Sequence, residues 1–264
     1  MHLLSYPPVY ERPVLLNGRE VEVERIWQGI KQTHPLAMDE EHYLVVSNTR
    51  QTLLVLSGER HGDVFHILNM VPMTDKPFYQ WKNLMRQLEV VHFDVVLDPS
   101  AHVEHGICQA MGLEFVTKRV KFTPFDVSRF NTRAPMIHRQ ENCSLDEMER
   151  VCQITKKSLP GYKHILKEVA FGFMETLVRK QNDKITSVLF VSQTPNTVTV
   201  ANYVSVFHQQ DRQYAQDFSE FFRYLLKLCG TQKKSLYISL DAKAEIPTYD
   251  GITHEVVTHH YTIA

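Results

Sequence analysis

Between Thr197 and Val206 apolar side chains fall on alternate positions, Val198, Val200, Tyr203 and Val206, with the two-residue rhythm slipping once between Val200 and Tyr203. Alternation predicts a half-buried strand, and the slip predicts a β-bulge. After the polar turn FHQQDRQ the spacing changes. Ala215, Phe218, Phe222, Leu225 and Cys229 recur at three- and four-residue steps, and Phe221 and Leu226 widen the stripe, as in an amphipathic helix. A strand that enters a helix through a tight turn aims the helix's free N–H groups beyond the strand end, where an anion or phosphate binds. The same pattern also suits an ordinary strand–turn–helix unit of an α/β core.

The rest of the chain has the same mixed character. A turn at Asn17-Gly18 precedes alternation from Val21 that becomes helical, with Ile26, Trp27 and Ile30 on one side and Pro35 as its stop. Strands are expected over His42–Ser47, Thr52–Leu56 and Asp63–Met70, with turn chemistry at Ser57-Gly58 and His61-Gly62, an antiparallel meander. A helix over FYQWKNLMRQLEVV, the strand HFDVVLD, a helix over AHVEHGICQAM and the strand GLEFVTKRVKF follow. From Thr123 to Cys143 prolines and polar residues keep no sustained period, which divides the chain into 1–125 and 126–264. The second part opens on Ser144 with Glu147 three residues later, a capping pattern, and a helix with Met148, Val151, Cys152 and Thr155 on one face. A loop with Pro160-Gly161-Tyr162, a helix over Ile165–Lys180, the strand ITSVLFVSQ, a turn at Thr194-Pro195-Asn196, and the strands KSLYISLD and THEVVTHHYTI complete the pattern.

The two parts repeat one order. HFDVVLD matches SLYISLD, and GLEFVTKRVKF matches GITHEVVTHHYTI, at an offset of roughly 140 residues, the size of an ordinary domain. Repetition at that length indicates a duplicated domain and not a solenoid.

Composition narrows the function. At 264 residues with 43% hydrophobic and 22% charged residues the chain is globular, and a net charge of −1 gives no electrostatic reason to bind nucleic acid or an anionic membrane. No apolar run approaches the roughly 20 residues of a membrane span. The opening MHLLSYPPVYERP lacks the basic and apolar regions of a secretory signal, so a soluble, cytoplasmic protein is expected. Cys108, Cys143, Cys152 and Cys229 have neither C-x-x-C spacing nor the density of a disulfide scaffold, and read as reduced thiols. His254, His259 and His260 sit on a strand that turns the last two to opposite faces, so no metal site is expected.

The second half resembles the acetyl-CoA-dependent N-acetyltransferase superfamily, GNAT. That family runs a bulged strand into a Q/R-x-x-G-x-G/A turn and a helix, then a buried strand, an A-I-x-L-Y segment and a terminal strand after Gly-Phe. Here the turn reads Gln210-Asp211-Arg212-Gln213-Tyr214-Ala215, with Gln213 where the central glycine stands; Glu245-Ile246-Pro247-Thr248-Tyr249 keeps the Ile and Tyr, and Gly251-Ile252 stands for Gly-Phe. The first half matches best at Gly112-Leu113-Glu114-Phe115; its turn, Thr74 to Phe78, lacks the motif, and Cys108 stands at the family's Tyr position. The resemblance implies an α/β (α+β) fold of two tandem GNAT-like domains, each a mixed, mainly antiparallel sheet flanked by helices. The first would be degenerate and the second would bind acetyl-CoA or another acyl-CoA. The implied activity is acyl transfer to a small amine or amino acid without a metal; the other implied state is an inactive GNAT-like binding module that still holds CoA.

Acetyl transfer needs the pyrophosphate held, the thioester carbonyl polarised, a neutral amine and a proton for the thiolate. The resemblance assigns CoA to Val204, Val206 and Gln210, Asp211, Arg212, Gln213, Tyr214 and Ala215, and the bulge supplies a backbone N–H to the thioester oxygen. Tyr249 matches the tyrosine that protonates the thiolate, a phenol of suitable acidity; a half-buried aromatic in a turn is the other reading. Thr197–Val206 contains no acid, so His208 is the best titratable group to act as base; a surface histidine is the other reading. Tyr162 would line the acceptor pocket, and Asp241 would orient a ligand or cap the following turn.

Overall fold

The computed structural model describes residues 1–7, 12–33, 40–74, 78–128, 137–139, 144–154 and 162–263. In chain order the first elements are β1 (His2–Ser5), β2 (Val14–Leu16), β3 (Arg19–Val21), α1 (Val23–Thr33), β4 (Glu41–Val46), β5 (Thr52–His61) and β6 (Val64–Pro72). Next come α2 (Trp81–Leu88), β7 (His92–Leu97), α3 (His102–Ala110), β8 (Glu114–Pro124), β9 (Ile137–Arg139), α4 (Leu145–Ile154) and α5 (Tyr162–Ala170). The chain continues with β10 (Glu175–Gln181), β11 (Lys184–Gln193), β12 (Thr197–Ser205), α6 (Arg212–Gln232), β13 (Ser235–Asp241) and β14 (Ile252–Ile263). The expected stop at Pro35, Thr155, Cys143 and the Pro160-Gly161 loop lie outside the described residues.

The chain forms two compact units. The first comprises Met1–Lys118, Asp241–Lys243 and Thr258–Ala264. Its strands run β1-β4-β5-β6-β7-β14-β8; β1/β4, β4/β5, β5/β6 and β7/β14 pair antiparallel and β6/β7 parallel. Asn17 and Gly18 both take positive φ, 50° and 78°, the requirement of a tight hairpin turn, and join β2 to β3. Because strand side chains alternate, one face of the sheet takes α1, through Val23, Ile26, Trp27 and Ile30 against Leu44, Val46 and Val55. The other takes α2, whose Trp81, Leu84, Met85 and Leu88 pack with Leu54, Leu56, Phe65, Phe93 and Tyr261, the indole N–H donating to the Met111 carbonyl at 2.8 Å.

Ser57-Gly58 is not the turn its composition predicts. β5 runs straight through it, and the chain reverses only after His61. A Cβ on Gly58 would lie 2.1 Å from the His66 carbonyl oxygen and 2.7 Å from the Phe65 ring, so glycine is needed for close approach inside the sheet, not for a reversal.

The second unit comprises Arg119–Leu240 and Ala244–Val257, with strand order β14-β8-β13-β12-β11-β10-β9. α4 and α5 bury Met148, Val151, Cys152 and Val169 against Val178, Val188, Phe190 and Val204. α6 covers the opposite face with Phe221, Phe222, Leu225, Leu226 and Cys229 on Val120, Phe122, Leu189, Val198 and Leu236. Ser144 caps α4 as its spacing predicts, accepting the Glu147 N–H at 3.2 Å.

The long helix expected over 165–180 is instead α5 followed by strand β10. Gly172, at φ 75°, closes α5: its N–H reaches the Val169 carbonyl and the Phe173 N–H reaches that of Glu168, the paired bonds of a left-handed helix stop. Thr176 to Arg179 are then all buried in a strand paired with β11 across the Asn182-Asp183 turn.

Candidate functional site

In the second unit β12 and β13 run parallel and pair only at Thr197–Ser235, Val198–Leu236 and Thr199–Tyr237. Against β11, Val191 faces Val200 and Phe190 faces Asn202, which leaves Ala201 as an extra residue. This is a β-bulge at the rhythm slip, two residues past the last position at which β12 pairs with β13. The strand's loop, 206–211, then enters α6.

Around the helix entry, His208 donates its N–H to Asp211 Oδ2 at 2.9 Å and accepts the Asp211 N–H at 2.9 Å. Gln210, Asp211, Arg212 and Ala215 are exposed and no side chain caps α6, so its first N–H groups face the loop. Gln213 is drawn away from the loop: its Nε2–H donates to Asp217 Oδ1 at 2.6 Å, one turn along the helix. Tyr214 packs its ring 4.8 Å from Tyr203, whose hydroxyl donates to the Tyr214 carbonyl at 3.2 Å. Burial pushes the Tyr203 phenol up to about 12, so it stays a protonated donor. Val204 is buried in the sheet, and the Val206 N–H is taken by the Thr186 carbonyl at 2.8 Å.

A buried polar network under this loop is absent from the sequence reading. Asp217, fully buried, accepts Ser187 Oγ–H on Oδ2 at 2.8 Å and meets Arg179 Nη1 at 3.1 Å on Oδ1. Arg179 also bonds Glu220. Ser205 Oγ lies 3.0 Å from Ser187 Oγ and accepts the Phe207 N–H at 3.2 Å. The network therefore ties both ends of the loop, Phe207 and Gln213, to β10 and β11. The signal for it was the helical stripe itself: stepping back four residues from Leu225 and Phe221 lands on Asp217 and then Gln213.

Tyr249 lies on a connector without helix, 242–251, its ring 5.9 Å from Phe222 and its carbonyl accepting the Ile252 N–H at 3.3 Å. From Phe222 the rings continue through Phe218 to Tyr203, so one aromatic row runs from Tyr249 to the bulged strand. Asp241 ends β13 and accepts the Lys243 N–H on Oδ1 at 2.9 Å, which caps the turn. Tyr162 opens α5, and its side chain lies outside the described residues. His208 is exposed beside Asp211. Burial raises the Cys108 and Cys152 thiols to about 11 and that of Cys229 to about 12, which leaves them unreactive. Among the described residues no group of three His, Cys, Asp or Glu is arranged to hold a metal ion, and no helix is long and apolar enough to cross a membrane.

No family model and no curated protein matches the sequence. Among solved structures, a GCN5-related N-acetyltransferase from Sphaerobacter thermophilus is similar with a TM-score of 0.50 and 10% identity, over 92% of this chain and 85% of its own. A tandem GNAT protein from the clavulanic acid biosynthesis pathway aligns over 99% of this chain and 98% of its own at 11% identity, with a TM-score of 0.39. The chain thus has a fold of the kind seen in GCN5-related N-acetyltransferases.

Proposed function

We propose that the protein is an acyl-CoA-dependent N-acyltransferase, most simply of acetyl groups, with the co-substrate held by the second unit. The observation that carries the reading is the conjunction at β12: a bulge at Ala201, a parallel pair that ends at Thr199–Tyr237, and a helix entered without a side-chain cap. In this reading the pyrophosphate lies along Gln210 to Ala215 and meets the first N–H groups of α6, at Arg212, Gln213 and Tyr214, with the Arg212 side chain adding charge. Gln213 stands where a glycine gives phosphate access, but its carboxamide is held at Asp217, which leaves the backbone approachable from the loop. Pantetheine then follows β12 along Val204 and Val206, and a backbone N–H at the bulge polarises the thioester carbonyl.

The acceptor is a small amine or amino acid, with Tyr162 and Asp241 as candidate contacts. Its nitrogen attacks the acyl carbon, the C–S bond breaks, His208 takes the proton released by the amine, and Tyr249 gives one to the departing thiolate. Free-thiol release from acetyl-CoA over an amine panel tests this. Turnover is expected with at least one amine, reduced in Tyr249→Phe. Unchanged turnover in that variant removes Tyr249 from the mechanism, and binding of CoA without turnover points to an inactive binding module.

A further inference from the structure

Three phenylalanines are exposed among the described residues, Phe125 at 72%, Phe171 at 74% and Phe173 at 75%, and all three lie at one end of the second unit. Phe171 and Phe173 flank Gly172 at the left-handed stop between α5 and β10, with their ring centroids 6.3 Å apart. Phe125 directly follows β8, and its N–H and that of Asp126 both donate to the Gly251 carbonyl, at 2.9 and 3.0 Å.

Direct contacts link the two ring positions through the end of α6. Two residues after Phe173, Glu175 accepts Gln193 Nε2–H at 2.9 Å, and Gln193 Oε1 accepts Lys234 Nζ–H at 3.1 Å. Lys234 follows α6, whose last turn meets the segment that carries Phe125: a Cβ on Gly230 would lie 2.3 Å from Val127 Cγ1 and 3.2 Å from Pro124 Cβ. Lys227 and Lys233 are exposed on and just after that helix end, and Lys167 on the last turn of α5. Two acids at this end are engaged by neighbours. Glu175 holds Gln193, and Asp126 accepts the Ser128 N–H and hydroxyl at 2.9 and 2.7 Å. Asp250 is exposed beside Gly251.

Scattered single apolar residues on a surface need no explanation, but the gathering of every exposed phenylalanine at one end does. The rings stand on two separate connectors at the tips of the unit, not in a row along one helix or strand. A folded partner would need a hollow shaped to each; a fluid apolar medium accepts them as they stand. The lysines beside them have apolar stems and cationic heads suited to phosphate groups at the edge of such a medium. We infer that this end of the second unit docks on a phospholipid bilayer, with Phe125, Phe171 and Phe173 entering the interface and Lys227 and Lys233 facing the headgroup phosphates. The rings lead the interaction, so the near-neutral charge of the whole chain does not oppose it. α6, 21 residues long, spans roughly 30 Å and carries the 206–211 loop at its other end, so docking leaves that loop open to solvent. The inference is independent of the acyl-transfer reading.

The test is co-sedimentation of the full chain with vesicles of phosphatidylcholine alone and of phosphatidylcholine with phosphatidylglycerol. Wild type is expected to bind both, more tightly where phosphatidylglycerol is present. Phe125→Ser and Phe173→Ser should each weaken binding about tenfold or more, with the melting temperature unchanged because both rings stand in solvent. Lys227→Gln combined with Lys233→Gln should weaken binding only to the vesicles that contain phosphatidylglycerol. A Phe173→Trp protein gives a second readout, since Trp27 and Trp81 are buried: its emission should shift to the blue on adding vesicles. Wild type that stays in the supernatant with both vesicles overturns the inference, as does full binding by both serine variants. Self-association that is lost in those variants, without vesicle binding by wild type, assigns the rings to a second copy of the chain and overturns it too.

Discussion

At the residue scale, Asp211 brings a negative charge to the N-cap position of α6, where it closes a turn with His208 and already complements the helix dipole. A pyrophosphate at the same helix end meets that charge. Asp211→Asn keeps a side-chain oxygen for the His208 N–H while removing the repulsion, and should tighten acetyl-CoA binding about two- to fivefold by calorimetry. Asp217 poses the opposite case. Truncating it to alanine leaves buried Arg179 with Glu220 alone and removes the acceptor of Ser187 Oγ and Gln213 Nε2, and should cost about 3–5 kcal/mol in chemical denaturation, whereas Arg179→Met combined with Asp217→Leu should recover much of the loss. On the other unit, burial, with His105 and Lys118 nearby, holds the His259 imidazole below its ordinary value. The folded protein thus takes up this proton less readily than the unfolded chain. Its contribution to stability is present above the ordinary imidazole range and is lost as pH falls through that range. Melting temperature measured through mildly acid pH should fall less steeply in His259→Gln than in wild type.

At the element scale, periodicity placed the bulged strand and α6 correctly, because one face of each is buried and the slip at Val200–Tyr203 leaves a trace in the alternation. It failed where one residue type serves two purposes. Gly58 looks like a turn residue but lies within β5, and Gly172 ends α5 inside a stretch that otherwise reads as helix. Asp217 was hidden because a polar residue within an apolar stripe looks like an interruption of the buried face, whereas here it is the most buried point of the first turns. The grouping of Asp94 with His66 and His260 leaves no local trace, as its members come from three strands far apart in sequence. Gly58→Ala should destabilise the protein by about 1–3 kcal/mol, since the added methyl must displace backbone at His66 rather than a flexible side chain. A melting temperature equal to wild type would mean that β5 and β6 are not packed as closely as described.

At the scale of the whole molecule, the chain forms two units, and each contains a parallel strand pair joined at three positions. Pairing between distant strands is not written in periodicity. Nothing in THEVVTHHYTI indicates that His259 to Ile263 pair with β7, or that Tyr261 is buried in the first unit's core. Deleting 258–264 should therefore unfold the first unit, exposing Leu84 and Trp81 and raising tryptophan accessibility to a quencher. Retention of native fluorescence would contradict that role for β14. The central claim is that this fold holds an acyl-CoA. Its most direct measurement is calorimetric titration of acetyl-CoA and of CoA into the full chain and into Gln210→Ala. The account predicts saturable binding of both ligands, weaker in Gln210→Ala; no heat of binding at millimolar ligand would contradict it.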